Sequence, residues 1–194
     1  MGSYFSVGTK SPHDVLMLGL DAAGKTTMMY KICENRYNNQ VNFFECGSYG
    51  VHFNITSWDS GGQDRMKKTY RCMYQGRSIK AIVFLIDSAD HERLDEAKKE
   101  LHWYLNEIFL EGIPLLIFAT KQDLPRALGI EEIKKHLDLD QLCGKIPFLI
   151  RGSCISSINE VTKEAFEWLL MAITDPENNI TYASTDHVKS ANKL

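Results

Sequence analysis

"DVLMLGLDAAGKTTMMYK", residues 14–31, decides the fold. An apolar run, "DVLMLG" at 14–19, reads as a buried strand. "KTTMMYKICENR" at 25–36 reads as a helix. Between them "GLDAAGKT", Gly19 to Thr26, fits G-x-x-x-x-G-K-[ST]. That motif needs a strand before it and a helix after it, and here it has both. Each residue type has a physical reason. Gly19 and Gly24 let the backbone curl so that successive N–H groups face one point. The helix N-terminus adds positive potential there. Lys25 is suited to reach the β- and γ-phosphates of a nucleotide, and the Thr26 hydroxyl to ligate Mg²⁺, a hard cation that prefers oxygen.

Working outward, apolar runs alternate with helical patterns, which predicts an α/β fold with a mostly parallel sheet. "VNFFECGSYGVHFNITSW" (41–58) reads as two strands around a Gly-Ser-Tyr-Gly turn, with Val51, Phe53 and Ile55 alternating with polar residues. "KAIVFLID" (80–87) and "IPLLIFAT" (113–120) are continuous apolar runs, the pattern of strands covered on both faces. Leu94, Ala97, Leu101, Leu105 and Ile108 recur at helical spacing between them. "IPFLIRG" (146–152) is a further strand. Val161, Ala165, Trp168 and Leu169 mark the buried side of a last helix. Residues 174–194 are polar and read as a flexible tail.

Two downstream motifs narrow the ligand. In "WDSGGQD" (58–64) Asp59 is suited to hold an Mg²⁺-bound water, Gly62 to offer its N–H to a γ-phosphate, and Gln63 to orient an attacking water. "TKQD" (120–123) ends a strand. Asp123 can accept from the N1 and N2 donors of guanine, a pair adenine lacks, and the stem of Lys121 would lie over the base.

Together "GLDAAGKTT", "WDSGGQD", "FATKQDLP" and the N-terminal "MGSYFS" resemble the Arf and Arf-like small GTPases over residues 1–173. The resemblance implies a P-loop, Ras-like sheet of six strands with helices on both faces. It also implies GTP/GDP switching with Mg²⁺, slow GTP hydrolysis with Gln63 as the catalytic glutamine, and exchange factors, GTPase-activating proteins and effectors as partners. By position, Asp21, Ala22, Ala23, Gly24, Lys25, Thr26 and Thr27 would cradle the phosphates. Cys154 and Ile155, in "SCISS", fall in the last guanine-contacting loop. Thr120 stands where the family has Asn, so a weaker tether between base loop and phosphate loop is expected. Phe43, Trp58 and Tyr70 fall on the effector-facing aromatic positions.

The departure is at residues 37–47, "YNNQVNFFECG". The family places here a threonine that ligates Mg²⁺ and holds the γ-phosphate, and aligning back from Trp58 puts Gln40 in its place. From Met28 through Ile55 the only Ser or Thr is Ser48. Gln40, Asn38, Asn39 or a water remain as substitutes. Two functions stay open: a slow GTPase switch in vesicle or protein trafficking, or a nucleotide-binding adaptor that barely distinguishes GTP from GDP.

The chain has 194 residues, 44% hydrophobic and 24% charged, with net charge −3 and a pI of about 6.1. These values suit one compact domain, expected to be a monomer, and argue against a nucleic-acid binder. The five cysteines lack CxxC spacing and read as unpaired thiols. No signal peptide is evident, and no apolar run reaches the roughly 18 residues of a membrane span. Gly2 and Ser6 fit M-G-x-x-x-[ST], a myristoylation pattern. The expected organisation is therefore a membrane-contact segment at 1–13, a GTPase domain at 14–173 and the tail at 174–194. One myristoyl chain binds only marginally, at about 10⁴ M⁻¹, so reversible contact from the cytoplasm is expected, with Golgi or endosomal membranes implied by the resemblance.

Overall fold

The computed structural model describes residues 13–32, 43–46, 51–57, 78–106, 112–143, 145–154 and 160–174. Among the described residues six strands form one sheet: β1 (His13–Leu18), β2 (Phe43–Cys46), β3 (Val51–Ser57), β4 (Ile79–Asp87), β5 (Leu115–Thr120) and β6 (Phe148–Gly152). Their order is β2-β3-β1-β4-β5-β6. β2 runs antiparallel to β3, and every other pair is parallel. The six-stranded, mostly parallel sheet expected from the sequence is thus present.

The central strands are apolar throughout because both faces are covered. All six residues of β5 are buried, as are Ala81–Ile86 of β4. Alternate side chains point to opposite faces of a strand, and the core divides accordingly. Leu16, Leu18, Ile82, Phe84, Ile86, Leu115 and Ile117 pack on one side with α2 (Leu94–Leu105) and α3 (Ile130–His136). Val15, Met17, Ala81, Val83, Leu85, Leu116 and Phe118 pack on the other with α1 (Lys25–Ile32) and α4 (Glu160–Thr174). Phe166 of α4 lies 5.9 Å from Phe118 and 6.1 Å from Phe53, ring centre to ring centre, distances suited to favourable aromatic pairs.

The helical faces follow the expected periodicity with two adjustments. Leu94, Ala97 and Leu101 are buried and Leu105 packs at the core edge; Ile108 lies outside the described residues. In α4, Ala165, Trp168 and Leu169 are buried as expected, but Val161 is only half-buried and Thr162 takes the inner position. The face that contains Ala165, Leu169 and Ala172 passes through Thr162 at i−3 from Ala165, so helical geometry overrides side-chain polarity there.

Strand order also locates the site. β1 and β4 are neighbours, yet their following helices lie on opposite faces, α1 with one cluster and α2 with the other. The chain diverges above their carboxyl ends and leaves a crevice, the place where open α/β sheets bind ligands.

Candidate functional site

The glycine-rich loop sits at this switch point. Gly19 leaves β1 with φ +142°, Ala22 has φ +61° and Gly24 φ +96°. Such alternation away from ordinary backbone curls a loop so that its amides converge, and the left-handed Ala22 is strain retained at a ligand loop. Gly19 is also required sterically: a Cβ there would stand 2.3 Å from the Leu85 carbonyl oxygen of β4.

Lys25 opens α1 and is 2% exposed. Its Nζ donates to the carbonyls of Gly19 at 2.8 Å and Leu20 at 2.6 Å, so the ammonium lies folded beneath the loop's own backbone. Ala23 is buried, with its N–H on the Leu20 carbonyl at 3.3 Å. Asp21, Ala22, Thr26 and Thr27 are exposed around the same turn. An exposed hydroxyl beside the helix start fits a hard divalent cation shared with phosphate oxygens. Among the described residues no group of three or more His, Cys, Asp and Glu side chains is placed to hold a metal.

A second loop follows β5. The Thr120 hydroxyl lies 3.0 Å from the Ala23 carbonyl of the phosphate loop and 3.0 Å from the Ile86 carbonyl of β4. It thereby bridges the two loops across 97 residues of sequence. The sequence led to the expectation of a weaker tether than Asn would give; the bond present between the two loops is the one made by the Thr120 hydroxyl. One proton is divided between two carbonyls, so the bond is a three-centre one. Thr120→Val keeps shape but removes this donor in a fully buried position. It is expected to cost about 1–3 kcal/mol in chemical denaturation and to speed nucleotide release.

Beyond Thr120 the loop is fixed by polar contacts. Lys121 is left-handed, φ +58°, and its Nζ pairs with Asp87 Oδ2 at 2.6 Å, so its stem runs back across the end of β4. Gln122 Nε2 donates to Ser88 Oγ at 2.7 Å and to the Leu128 carbonyl at 3.0 Å, while the Leu128 N–H returns to the Ser88 carbonyl at 2.9 Å. These bonds leave Asp123 exposed at the turn, free to accept from a ligand. After β6, the Ser153 N–H reaches the Ala119 carbonyl at 2.8 Å and the Gln122 N–H the Ser153 carbonyl at 3.4 Å. The loop containing half-exposed Cys154 is thereby held beside the turn carrying Asp123. Cys143 is a free, exposed thiol.

Of the other site residues expected from the sequence, Phe43 opens β2 opposite Asn54. Gly2, Gln40, Trp58, Asp59, Gly62, Gln63, Tyr70 and Ile155 lie outside the described residues. Two residues at the site had no sequence signal. Arg93 Nη1 lies 2.7 Å from Asp21 Oδ1, and Asp90 holds Arg93 from the other side at 2.6 Å.

A glycine-rich loop at the switch point of a mostly parallel sheet, bonded to a base-type loop two strands over, defines a P-loop nucleotide-binding protein. Residues 4–173 match the model of the ADP-ribosylation factor (Arf) family. The chain belongs to that family, and with it to the guanine-nucleotide-binding small GTPases.

Proposed function

We propose that the protein is a slow GTPase switch that cycles between GTP and GDP with Mg²⁺ and touches membranes reversibly in vesicle or protein trafficking. The observation that carries this reading is the pairing of an ordered phosphate loop and base loop through Thr120 and Ala23, in a chain that retains Gln63 where water must be oriented. In the proposed arrangement Asp21–Thr27 surround the phosphates, Thr26 and a water held by Asp59 serve Mg²⁺, and Gly62 meets the γ-phosphate. Thr120, Lys121, Asp123, Cys154 and Ile155 surround guanine. Phe43, Trp58 and Tyr70 form the effector face, open to exchange factors, activating proteins and effectors in turn. Among the described residues no helix is long and apolar enough to cross a membrane. Myristoyl at Gly2, in the segment before β1, is proposed as the contact, and the polar residues after α4 as a tail outside the GTPase domain.

A second reading rests on one observation. Gln40 stands where the family has its γ-phosphate-sensing threonine. A protein with equal affinity for GTP in both of its states shifts no population, and would act as a nucleotide-binding adaptor. Dissociation rates of GTP and GDP with and without Mg²⁺, combined with single-turnover hydrolysis, separate the two. The switch reading expects Mg²⁺-dependent release that differs between the nucleotides, and a slow hydrolysis abolished by Gln63→Leu. Equal, Mg²⁺-insensitive rates without hydrolysis would leave the adaptor. For the membrane arm, Gly2→Ala is expected to move the protein from the membrane fraction to the cytosol; an unchanged distribution sinks that part.

A further inference from the structure

The phosphate loop contains an apparent contradiction. A loop built to receive a polyanion carries a carboxylate, Asp21, two residues after its first glycine. Its side chain is 66% exposed. A carboxylate free to turn over the loop would stand beside bound phosphates of the same sign and weaken them.

The structure shows what occupies it. Arg93 Nη1 donates to Asp21 Oδ1 at 2.7 Å, and Nη2 lies 3.4 Å from the Asp21 backbone carbonyl. The guanidinium is itself pinned from behind. Its Nε donates to Asp90 Oδ2 at 2.7 Å, and Nη2 lies 2.6 Å from the same oxygen. Asp90 Oδ1 accepts the Arg93 backbone N–H at 3.3 Å, capping the 3₁₀ turn His91–Arg93 that leads into α2. The fork of Arg93 is thus oriented before it meets Asp21, which reduces the entropy lost in forming the second pair. The hydrogen bond to Asp90 holds the Arg93 guanidinium above its ordinary value, despite some opposing desolvation. The three residues, with Leu20, Ala23, Ile86 and Asp87, line one cleft between the loop and the start of α2.

We propose that Arg93 is a positioning residue of the phosphate loop, a latch that holds the Asp21 carboxylate aside from the bound nucleotide and so slows nucleotide release. It rests on the reading of residues 19–27 as a phosphate site. A merely structural ion pair this exposed would contribute little; the latch instead acts by removing a like charge from the ligand. It also couples the loop to α2, because any shift of the His91–Arg93 turn releases Asp21.

A fluorescent GDP analogue loaded on the full chain with Mg²⁺ gives the test, with release followed after addition of excess GDP. Arg93→Gln is expected to speed release about tenfold, the scale of one uncompensated like charge near the ligand. Asp21→Asn removes that charge and is expected to slow release by about twofold. In the Asp21→Asn background, Arg93→Gln is expected to change release by less than about twofold, because the charge it restrained is gone. Arg93→Gln releasing at the wild-type rate overturns the latch, as does an equal acceleration in both backgrounds, the signature of a structural role. A wild-type chain that retains no GDP would overturn the phosphate-site reading and the latch with it, whereas retention by wild type and by Arg93→Gln alike overturns the latch alone.

Discussion

Lys25→Met is expected to lower guanine-nucleotide affinity by roughly two to four orders of magnitude, yet to change the stability of the nucleotide-free protein by less than about 1 kcal/mol. The two effects separate because the ammonium does different things with and without ligand. In the fold as it stands, Lys25 is buried at 2% exposure, and its Nζ serves the carbonyls of Gly19 and Leu20. Holding a cation there costs desolvation that those bonds offset. Methionine keeps most of the volume and removes the charge, so lost bonds and relieved desolvation largely cancel. With a polyphosphate bound, the same ammonium meets fixed negative charge in a water-poor loop. Two charge-assisted bonds at about 1.5–3 kcal/mol each give the expected loss. Calorimetric titration with GDP and a thermal melt of the nucleotide-free chain check both halves. Affinity within a few-fold of wild type would mean that Lys25 only braces the loop's backbone.

What the sequence made legible follows from how local each signal is. β4 and β5 were readable because both faces are buried and the residues are apolar without interruption. The phosphate loop was readable because its demands, two glycines and a lysine at fixed offsets, fall within eight residues. Strand starts were less sharp. The apolar run at 113–120 begins before its ladder, and β5 starts at Leu115, after Pro114, whose ring nitrogen has no proton to donate. The Asp21–Arg93 pair was not legible at all. Its partners are 72 positions apart, and nothing in "HERLDEA" marks Arg93 as different from a helix-start arginine. Only the adjacency of β1 and β4 brings them together. Thr120 was half legible: the missing amide is visible in "TKQD", but the 3.0 Å reach of its hydroxyl depends on how closely β5 packs beside the phosphate loop.

Gly19→Ala is expected to destabilise the fold by about 3–5 kcal/mol and to abolish tight nucleotide binding in whatever fraction remains folded. Two independent penalties fall on one methyl group. The backbone at Gly19 has φ +142°, a conformation that L side chains rarely adopt. The new Cβ would also stand 2.3 Å from the Leu85 carbonyl oxygen and 3.2 Å from its carbon. That obstacle is backbone, not the end of a flexible side chain, and Leu85 lies in the middle of a buried parallel ladder between β1 and β5. Relief therefore requires the loop to lift from β4. Lifting breaks the contact geometry that lets Lys25 reach the Gly19 carbonyl and draws Ala23 away from Thr120. Gly24 differs: its φ is +96°, but it begins the turn into α1, where its carbonyl accepts the Met28 N–H at 2.9 Å, so strain there falls on the loop's far end and not on the sheet. Chemical denaturation should accordingly show a larger loss of stability for Gly19→Ala than for Gly24→Ala, with nucleotide binding impaired in both. Equal stabilities would mean that β4 yields at Leu85, and that the close approach of loop to sheet is not what holds the phosphate site in shape.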